Sequence, residues 1–352
     1  MLPQTLVYRW FSVAVLAMVL GSTSGCSAIA VALGLRVRLD KLPVTAVSAS
    51  LVNKRDGSTI NALGPGQSAQ LVIVATTQDG KQYVTVGAGK GKVAFNNYTI
   101  TASVVQVKGG KVSLPADPRI SENKVAHLQI VPVAHPEVVA QLDIPVRYNI
   151  AFTANFSGAD GSNGLDGFAG MDGSPGTDGS PGTVDPTTGL MSNQGPGGPG
   201  GDGGNGGDGG DGQDGSPGAA VHIWVRLESA NPPLLQIKVS AGSRESLYIV
   251  DPNGGSLKVL DNGGSGGSGG SGGRGGSGGS GGDGFPPGFN GLDGRSGFDG
   301  HAGSDGAAGT ITVSVDPAAQ SFMSVITWSN RSGGGSPGPA ATITVQPVAA
   351  LW

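Results

Sequence analysis

Short stretches of alternating apolar and polar residues, separated by turn residues, occupy positions 43–156. Residues 69–75 alternate in this way and are followed by the turn pair Asp79-Gly80, and a second such stretch covers residues 98–105. A period of two predicts β-strands, and no helical period competes with it here. Roughly six to eight short strands in about 115 residues are typical of an antiparallel sandwich. We therefore predict a β-sandwich domain over residues 43–156.

A second, smaller set of strand patterns lies in the last third of the chain. Four predicted strands fall in residues 219–262, at 221–227, 234–239, 247–250 and 257–260, and three in residues 310–352, at 311–315, 322–328 and 342–348. Trp224 and Trp328 lie inside these apolar patterns, so we expect both in a core. The pattern predicts a second β module split in two by other sequence.

Between these strands, glycine recurs at every third position. It does so without a break over residues 158–182 and 197–218, and over residues 264–309 with the single exception of Phe285. A three-residue glycine period leaves one edge of a three-fold extended helix without side chains, so that another backbone can approach it. We divide this sequence into run 1 (158–182), run 2 (195–218), run 3 (263–284) and run 4 (288–309). At about 3.1 Å per residue, each run would be roughly 65 to 75 Å long.

The four runs differ in how many edges carry side chains. Runs 2 and 3 have mostly two glycines per triplet, whereas runs 1 and 4 have one, with an apolar edge beside an acidic edge. This predicts runs 2 and 3 inside a bundle of four extended helices, runs 1 and 4 at its flanks, and the apolar edges as packing surfaces. The apolar edges are Leu165, Phe168 and Met171 in run 1 and Phe289, Leu292 and Phe298 in run 4, and the acidic edges are Asp160, Asp166, Asp172 and Asp178 in run 1 and Asp293, Asp299 and Asp305 in run 4.

Period and run length resemble the polyglycine-II bundles of snow-flea-type antifreeze proteins and of phage tail-fibre tip adhesins. Residues 173–181, Gly-Ser-Pro-Gly-Thr-Asp-Gly-Ser-Pro, also resemble bacterial collagen-like proteins, and the Gly-Gly-Ser repeats have the composition of flexible linkers. An intramolecular bundle, a collagen trimer and disordered loops are therefore the three alternatives for the runs. In the first domain, residues 63–71 and 79–83 resemble the opening strands of bacterial immunoglobulin-like (Ig-like) domains.

The N-terminal segment has the features of an export signal. Arg9 precedes an apolar stretch at 11–20, and small residues at 21–25 precede Cys26, the single cysteine. Ser24, Gly25 and Cys26 resemble a bacterial lipoprotein signal, which implies lipidation of Cys26, whereas Thr23 stands where such signals usually have an aliphatic residue. Two alternatives remain open: one uncleaved membrane helix within residues 11–35, or cleavage without lipidation.

Composition excludes several functions. The chain has 352 residues, including 66 Gly and 23 Pro, so the runs hold too little apolar surface for an ordinary core. A net charge of −4 with 13% charged residues excludes a basic nucleic-acid surface. Residues 87–93 lack the spacing of a phosphate-binding loop, and the four histidines are scattered. The acidic triplets of residues 201–214 are either calcium ligands or a solvated edge, and we expect the solvated edge.

These observations predict a mainly β, non-enzymatic protein without a cofactor. Its domains are a lipoprotein-type signal (1–25) with Cys26 as anchor, a linker (26–42), an Ig-like β domain (43–156), glycine-rich helices 1 and 2 (157–218), β strands (219–262), glycine-rich helices 3 and 4 (263–309) and C-terminal β strands (310–352). No residue is expected to be catalytic or to bind a metal.

The expected function is that of a structural or adhesive lipoprotein of the cell envelope, exported and anchored in the outer membrane through its N-terminal lipid. Ice binding and a collagen-like trimeric stalk are the alternatives. Its partners would be surface glycans or other envelope proteins, because loops on a rigid scaffold usually carry recognition. Partner contact is expected at the two turns between runs, at Thr183, Asp185, Thr187, Thr188, Leu190, Met191, Asn193, Phe285, Pro286 and Pro287.

Overall fold

A computed structural model describes residues 36–192 and 194–352. The protein is mainly β, with 34% strand and 7% helical residues and with antiparallel sheets, which confirms the predicted class. The described residues form two compact units, 36–150 with Trp352 and 151–351. The predicted signal, Cys26 and Asn193 lie outside the described residues.

The first unit contains two antiparallel sheets. One has the order β2-β1-β3-β7-β6 with β4 beside β3, and the other has the order β5-β8-β9. Among the described residues of this unit, one α-helical turn, α1, and three 3-10 turns connect the strands. The strands are β1 (Val44–Val52), β2 (Thr59–Ile60), β3 (Ser68–Thr77), β4 (Gln82–Val84), β5 (Tyr98–Ser103), β6 (Gln106–Lys108), β7 (Lys111–Ser113), β8 (Ala126–Pro132) and β9 (Ala140–Ile144), α1 is Pro118–Ser121, and the 3-10 turns are Leu39–Lys41, Gly87–Gly89 and Phe95–Asn97.

Alternation along the strands builds the core of this unit. In β3, Leu71, Ile73 and Ala75 are buried while the residues between them are half-buried, because successive side chains point to opposite faces of a sheet. Leu128 and Ile130 of β8 belong to the same core cluster. The antiparallel sheets are thus as expected, while the Ig-like arrangement stays a prediction.

The second unit contains the remaining strands. One sheet has the order β15-β14-β13-β17-β19, a second is β10-β16-β18, and β11 pairs with β12 in a hairpin. The strands are β10 (Ala151–Asn155), β11 (Thr183–Val184), β12 (Met191–Ser192), β13 (Ala220–Ala230), β14 (Pro233–Ala241), β15 (Arg244–Val250), β16 (Ser256–Leu260), β17 (Thr310–Val315), β18 (Ile326–Ser329) and β19 (Thr342–Val345), with a 3-10 segment at Pro317–Val325.

Two boundaries differ from the sequence prediction. β10 pairs in parallel with β16, so residues 151–156 belong to the second unit and the first unit ends at Ile150. The predicted strand at 322–328 begins only at Ile326, because a 3-10 segment precedes it. Asp316 caps that segment by accepting a hydrogen bond from the Ala318 N–H at 3.0 Å, and proline follows directly at its first position.

The four glycine-rich runs extend from the two sheets of the second unit. None of them is a regular helix or a strand, so a bundle of four helices is not seen within the described residues. Run 1 follows β10 and run 3 follows β16, its parallel neighbour, whereas runs 2 and 4 lead into the parallel neighbours β13 and β17. Each sheet therefore sets two runs side by side in the same direction.

Backbone hydrogen bonds join neighbouring runs at every third residue along their whole length. Runs 2 and 3 each bond to the other three runs, and no backbone bond between runs 1 and 4 occurs among the residues that the structure describes. We call this hydrogen-bonded arrangement the glycine-rich stack. One bond from each neighbouring pair, given as donor to acceptor, is Gly167 to Ser271, Gly207 to Phe168, Gly206 to Arg295, Gly273 to Gly207 and Gly297 to Gly273, with N···O distances of 2.8–2.9 Å.

Glycine is required where one backbone faces another. A Cβ atom on Gly206 would overlap the carbonyl oxygen of Gly273 in run 3. The next residue, Gly207, is less constrained, since its nearest neighbour would be the Phe168 nitrogen at 3.3 Å. Glycine is thus required at position 206 by the backbone of run 3, whereas a side chain at position 207 would meet only a tight contact.

A buried carboxyl group lies where the sheets pass into the stack. Asp261 follows the last residue of β16 and is fully buried. Its Oδ1 accepts a hydrogen bond from the Ala219 N–H at 2.7 Å, and its Oδ2 has no partner among the described residues. Burial raises the pKa of Asp261 to about 6. Glycine is needed at position 309, because a Cβ there would overlap this carboxyl group.

We predict that Gly206→Ala destabilises the second unit far more than Gly207→Ala. The first change forces a methyl group onto the Gly273 carbonyl, for which overpacking costs of about 1–3 kcal/mol or more are typical. The second needs a shift of only a few tenths of an ångström. Thermal unfolding followed by circular dichroism measures both, and equal melting temperatures would contradict the backbone packing described above.

We also predict a pH-dependent contribution from Asp261. Because its pKa is higher in the folded chain than the usual 3.8, the folded state retains a proton that the unfolded state has lost between about pH 4 and pH 6. The free energy of unfolding therefore falls as pH rises through this window. Denaturant unfolding of the natural chain and of Asp261→Asn across this window measures the effect. Parallel pH curves would show that Asp261 is not responsible.

Candidate functional site at the distal end of the stack

The first turn between runs forms a small hairpin at the end of the stack away from the sheets. β11 and β12 pair there, and the Asp185 N–H donates to the Leu190 carbonyl at 3.0 Å. The Asp185 carboxylate accepts a hydrogen bond from the Thr187 N–H at 2.7 Å, and this bond lowers the pKa of Asp185. Gly189 has a φ of +66°, a left-handed conformation that suits glycine. The hairpin is therefore held by its own local bonds.

The second turn is bonded to the beginning of run 2, which follows the first turn in the chain. The Phe285 N–H donates to the Gly195 carbonyl at 3.0 Å, and the Gly197 N–H donates to the Pro286 carbonyl at 3.0 Å. Both turns thus meet at run 2, at one end of the stack. We call the hairpin and residues 285–287 together the tip. Among the side chains that the structure describes there, three large apolar ones are exposed: Val184, Leu190 and Phe285.

The tip unites most of the residues predicted for partner contact. Asn193 lies outside the described residues, as does Cys26, and only the backbone of Met191 is described. Val184 was not predicted, although its place beside Thr183 in the longest interruption of the glycine period could have indicated it. The predicted residues that the structure brings to the tip are Thr183, Asp185, Thr187, Thr188, Leu190, Phe285, Pro286 and Pro287.

The apolar edges of runs 1 and 4 do not pack within the chain as predicted. Phe168 is 88% exposed and Phe298 is 80% exposed, and the other members of both rows are similarly open. The reason lies in the hydrogen-bond pattern: each outer run turns its glycine edge toward its two neighbours, so its other two edges face solvent. Six large apolar side chains are therefore displayed along the stack: Leu165, Phe168, Met171, Phe289, Leu292 and Phe298.

The acidic rows act as hydrogen-bond acceptors for the backbone. Asp166 accepts from the Ser271 N–H at 2.8 Å, and Asp208 accepts from the Phe298 N–H at 2.8 Å. Each such bond satisfies an outward-facing N–H that the glycine pairing leaves open. The acceptors are Asp160, Asn163, Asp166, Asp172 and Asp178 on run 1, Asp202, Asn205, Asp208, Asp211 and Asp214 on run 2, and Asn290, Asp293, Asp299 and Asp305 on run 4, at 2.6–3.0 Å.

These bonds bear on the calcium alternative for residues 201–214. The Asp211 carboxylate accepts from the His301 N–H, and this bond lowers the pKa of Asp211. Each carboxylate is directed to its own backbone donor rather than to a common centre. Within the described ranges, no cluster of three or more His, Cys, Asp or Glu residues is suited to hold a metal ion.

The outer face of the five-stranded sheet carries an open cavity of about 460 Å³ beside residues 346–351. Trp224 lines it, so this residue is not in the core as predicted. His222 stacks on the Trp224 ring with 3.8 Å between centroids, and Lys238 lies 5.6 Å from the ring centroid while pairing with Glu245 at 2.6 Å. The aromatic ring therefore already has partners within the chain.

Comparisons with known proteins found no matching family model, no matching curated protein and no matching solved structure. Across the part of the chain that the structure covers, none of the helices has the length and apolar character needed to cross a membrane. The site is therefore interpreted from its own geometry.

We predict that the acidic rows stabilise the stack through acceptor geometry rather than charge. The triple variant Asp202→Ala, Asp208→Ala, Asp214→Ala loses three acceptors for run 4 backbone donors, and a decrease in melting temperature of about 5 °C or more is expected. The matched triple Asn variant removes the same charge but keeps an acceptor oxygen. Calorimetry of both chains tests this, and equal losses in the two variants would indicate a charge effect.

Proposed function

We propose that this protein is a non-enzymatic structural or adhesive component of the cell envelope, in which the glycine-rich stack is a rigid projection and its tip makes the contact. The observation that carries the proposal is the backbone hydrogen bond at every third residue along all four runs. A mobile linker would not have such a ladder. The ladder supports a polyglycine-II-type bundle, in which neighbouring extended helices bond to one another.

Rigidity follows from the way the runs are held. Each run has bonds to at least two others, so bending one run requires breaking bonds along its length. At one end the runs continue into the parallel strand pairs β10–β16 and β13–β17. At the other end the second turn is bonded to Gly195 and Gly197 of run 2, which follows the first turn in the chain. The stack can therefore hold its tip at a defined distance from the sheets.

The tip is the part of the projection best suited to recognition. It combines the exposed side chains of Leu190 and Phe285 with threonine hydroxyl groups and one carboxylate. Apolar surface together with hydrogen-bonding groups suits the rings and hydroxyls of a glycan, or a partner protein of the envelope. Export and anchoring through Cys26 complete the proposal and depend on the N-terminal sequence alone.

Neither alternative function has a specific observation in its favour. The stack obtains its bonding partners from four runs of one chain, whereas a collagen stalk needs three chains. An ice-binding face would have to be uniformly small or apolar, but the surface of the stack carries rows of Asp and Asn that bond to its backbone.

Substitution of the tip tests the adhesive role. We predict that Leu190→Ser with Phe285→Ser lowers binding of the purified chain to whole bacterial cells and to a glycan array by about tenfold or more, as removal of central apolar contacts does at interfaces. The matched control is Leu292→Ser with Phe298→Ser, which removes two equally exposed apolar residues from the side of the stack. Equal binding by the natural chain and the tip variant, or equal loss in the control, would contradict a contact at the tip.

A further inference from the structure

The apolar row of run 1 lies beside a strip of bare backbone. Leu165, Phe168 and Met171 are 83%, 88% and 86% exposed, and their carbonyl groups accept hydrogen bonds from Gly210, Gly207 and Gly204 of run 2. Each apolar residue therefore stands next to one glycine at the same level of the stack. We call the three side chains the ridge, and the adjacent glycines of run 2 the trough.

Packing within the chain does not explain the glycines of the trough. A Cβ on Gly204, Gly207 or Gly210 would lie 3.1–3.3 Å from the nearest atom, a tight but adjustable contact. Farther along run 2, Gln213 and Ser216 occupy the same register, since their N–H groups donate to Ser162 and Ala159 of run 1. The position thus accepts a side chain, yet glycine fills it beside the ridge, and also at Gly198 and Gly201 beside Thr177 and Ser174.

Run 3 provides the contrast. It also has a second glycine per triplet, but there a Cβ on Gly272 or Gly275 would overlap a carbonyl oxygen of run 4. Those glycines are necessary for the stack itself. The trough on run 2 is therefore a bare strip that the backbone packing of the stack does not strictly require.

The distribution of charged side chains also distinguishes the face with the ridge and the trough from the other faces of the stack. The other three lateral faces of the stack each carry a row of Asp and Asn, from run 1 toward run 3, from run 2 toward run 4 and from run 4 toward run 3. Among the described residues, the ridge, the trough and their continuations along runs 1 and 2 contain no charged side chain. Two copies of the chain can meet at this face without opposing carboxylates, whereas at any other face like charges would meet.

We propose that the ridge and trough form an interface between two copies of this chain, aligned side by side in parallel. A two-fold axis parallel to the runs places the ridge of each copy over the trough of the other, with Phe168 opposite Gly207. In an antiparallel pair, ridge would face ridge and trough would face trough. A second copy also supplies apolar knobs at the required three-residue spacing over the same length.

This contact is small, because only three large side chains enter it from each copy. Interfaces of this size are weak and form at high local concentration, such as that of proteins crowded on a surface. The proposal does not depend on the adhesive role of the tip, which lies at the far end of the stack. Binding by the tip and pairing of the stacks can fail separately.

Sedimentation equilibrium of the full chain carrying Cys26→Ser, over a wide concentration range, tests the pairing. We predict a monomer–dimer equilibrium that Phe168→Asp weakens at least tenfold, because the carboxylate would enter the trough of the other copy. Gly207→Ser, which fills the trough, is expected to act in the same direction. Phe298→Asp on run 4 is the matched control and leaves the dimer constant unchanged. Circular dichroism melting of each variant separates loss of pairing from loss of fold.

Disulfide trapping tests the alignment. A Phe168→Cys chain mixed with a Gly207→Cys chain, both with Cys26→Ser, is expected to give a mixed dimer under mild oxidation, whereas Phe298→Cys mixed with Gly207→Cys gives none. A chain that stays monomeric at every concentration overturns the proposal. Dimers lost with Phe298→Asp but not with Phe168→Asp overturn it as well, since they would form at another face.

Discussion

A backbone N–H on every third residue of a run donates to a carbonyl of the neighbouring run, and the second unit depends on this bond. The two backbones can approach only if no Cβ stands between them, so each contact requires glycine. Glycine is the most costly residue to order, and a single run has no internal hydrogen bonds. The stack is stable only because four runs satisfy one another at the same time, which makes its formation cooperative along its whole length.

The same constraint explains the acidic composition. Pairing through glycine leaves outward-facing N–H groups on runs 3 and 4, and Asp and Asn of the adjacent run accept them. A row of carboxylates also keeps the stack soluble and repels other copies from those faces. Residues that looked like a solvated edge or a cation site thus have a direct role in backbone bonding. The face without such a row carries exposed Phe168 instead.

The sheets decide the lateral order of the runs. Because β10 pairs in parallel with β16, runs 1 and 3 leave the sheets side by side. Because β13 pairs in parallel with β17, runs 2 and 4 enter the sheets side by side. Asp261 is buried at this junction, and its burial raises its pKa to about 6. The first distal turn is held by its own hairpin bonds, and the second is bonded to Gly195 and Gly197 of run 2. The position of the tip and the stiffness of the stack that carries it therefore both follow from one hydrogen-bond pattern.

The sequence by itself determined what repeats: the strands that alternate, the three-residue glycine period, and the runs with two bare edges, whose place between the others follows from glycine count alone. Tertiary structure decided what depends on residues far apart in the chain. β10 belongs to the second unit because its partner β16 lies about a hundred residues later, and Asp208 is an acceptor because the Phe298 N–H comes to lie beside it. The exposure of Phe168 was likewise decided by the direction in which run 1 turns its glycines. Periodicity is a local property of the chain, whereas the partner of each edge is set by how the edges are paired in space.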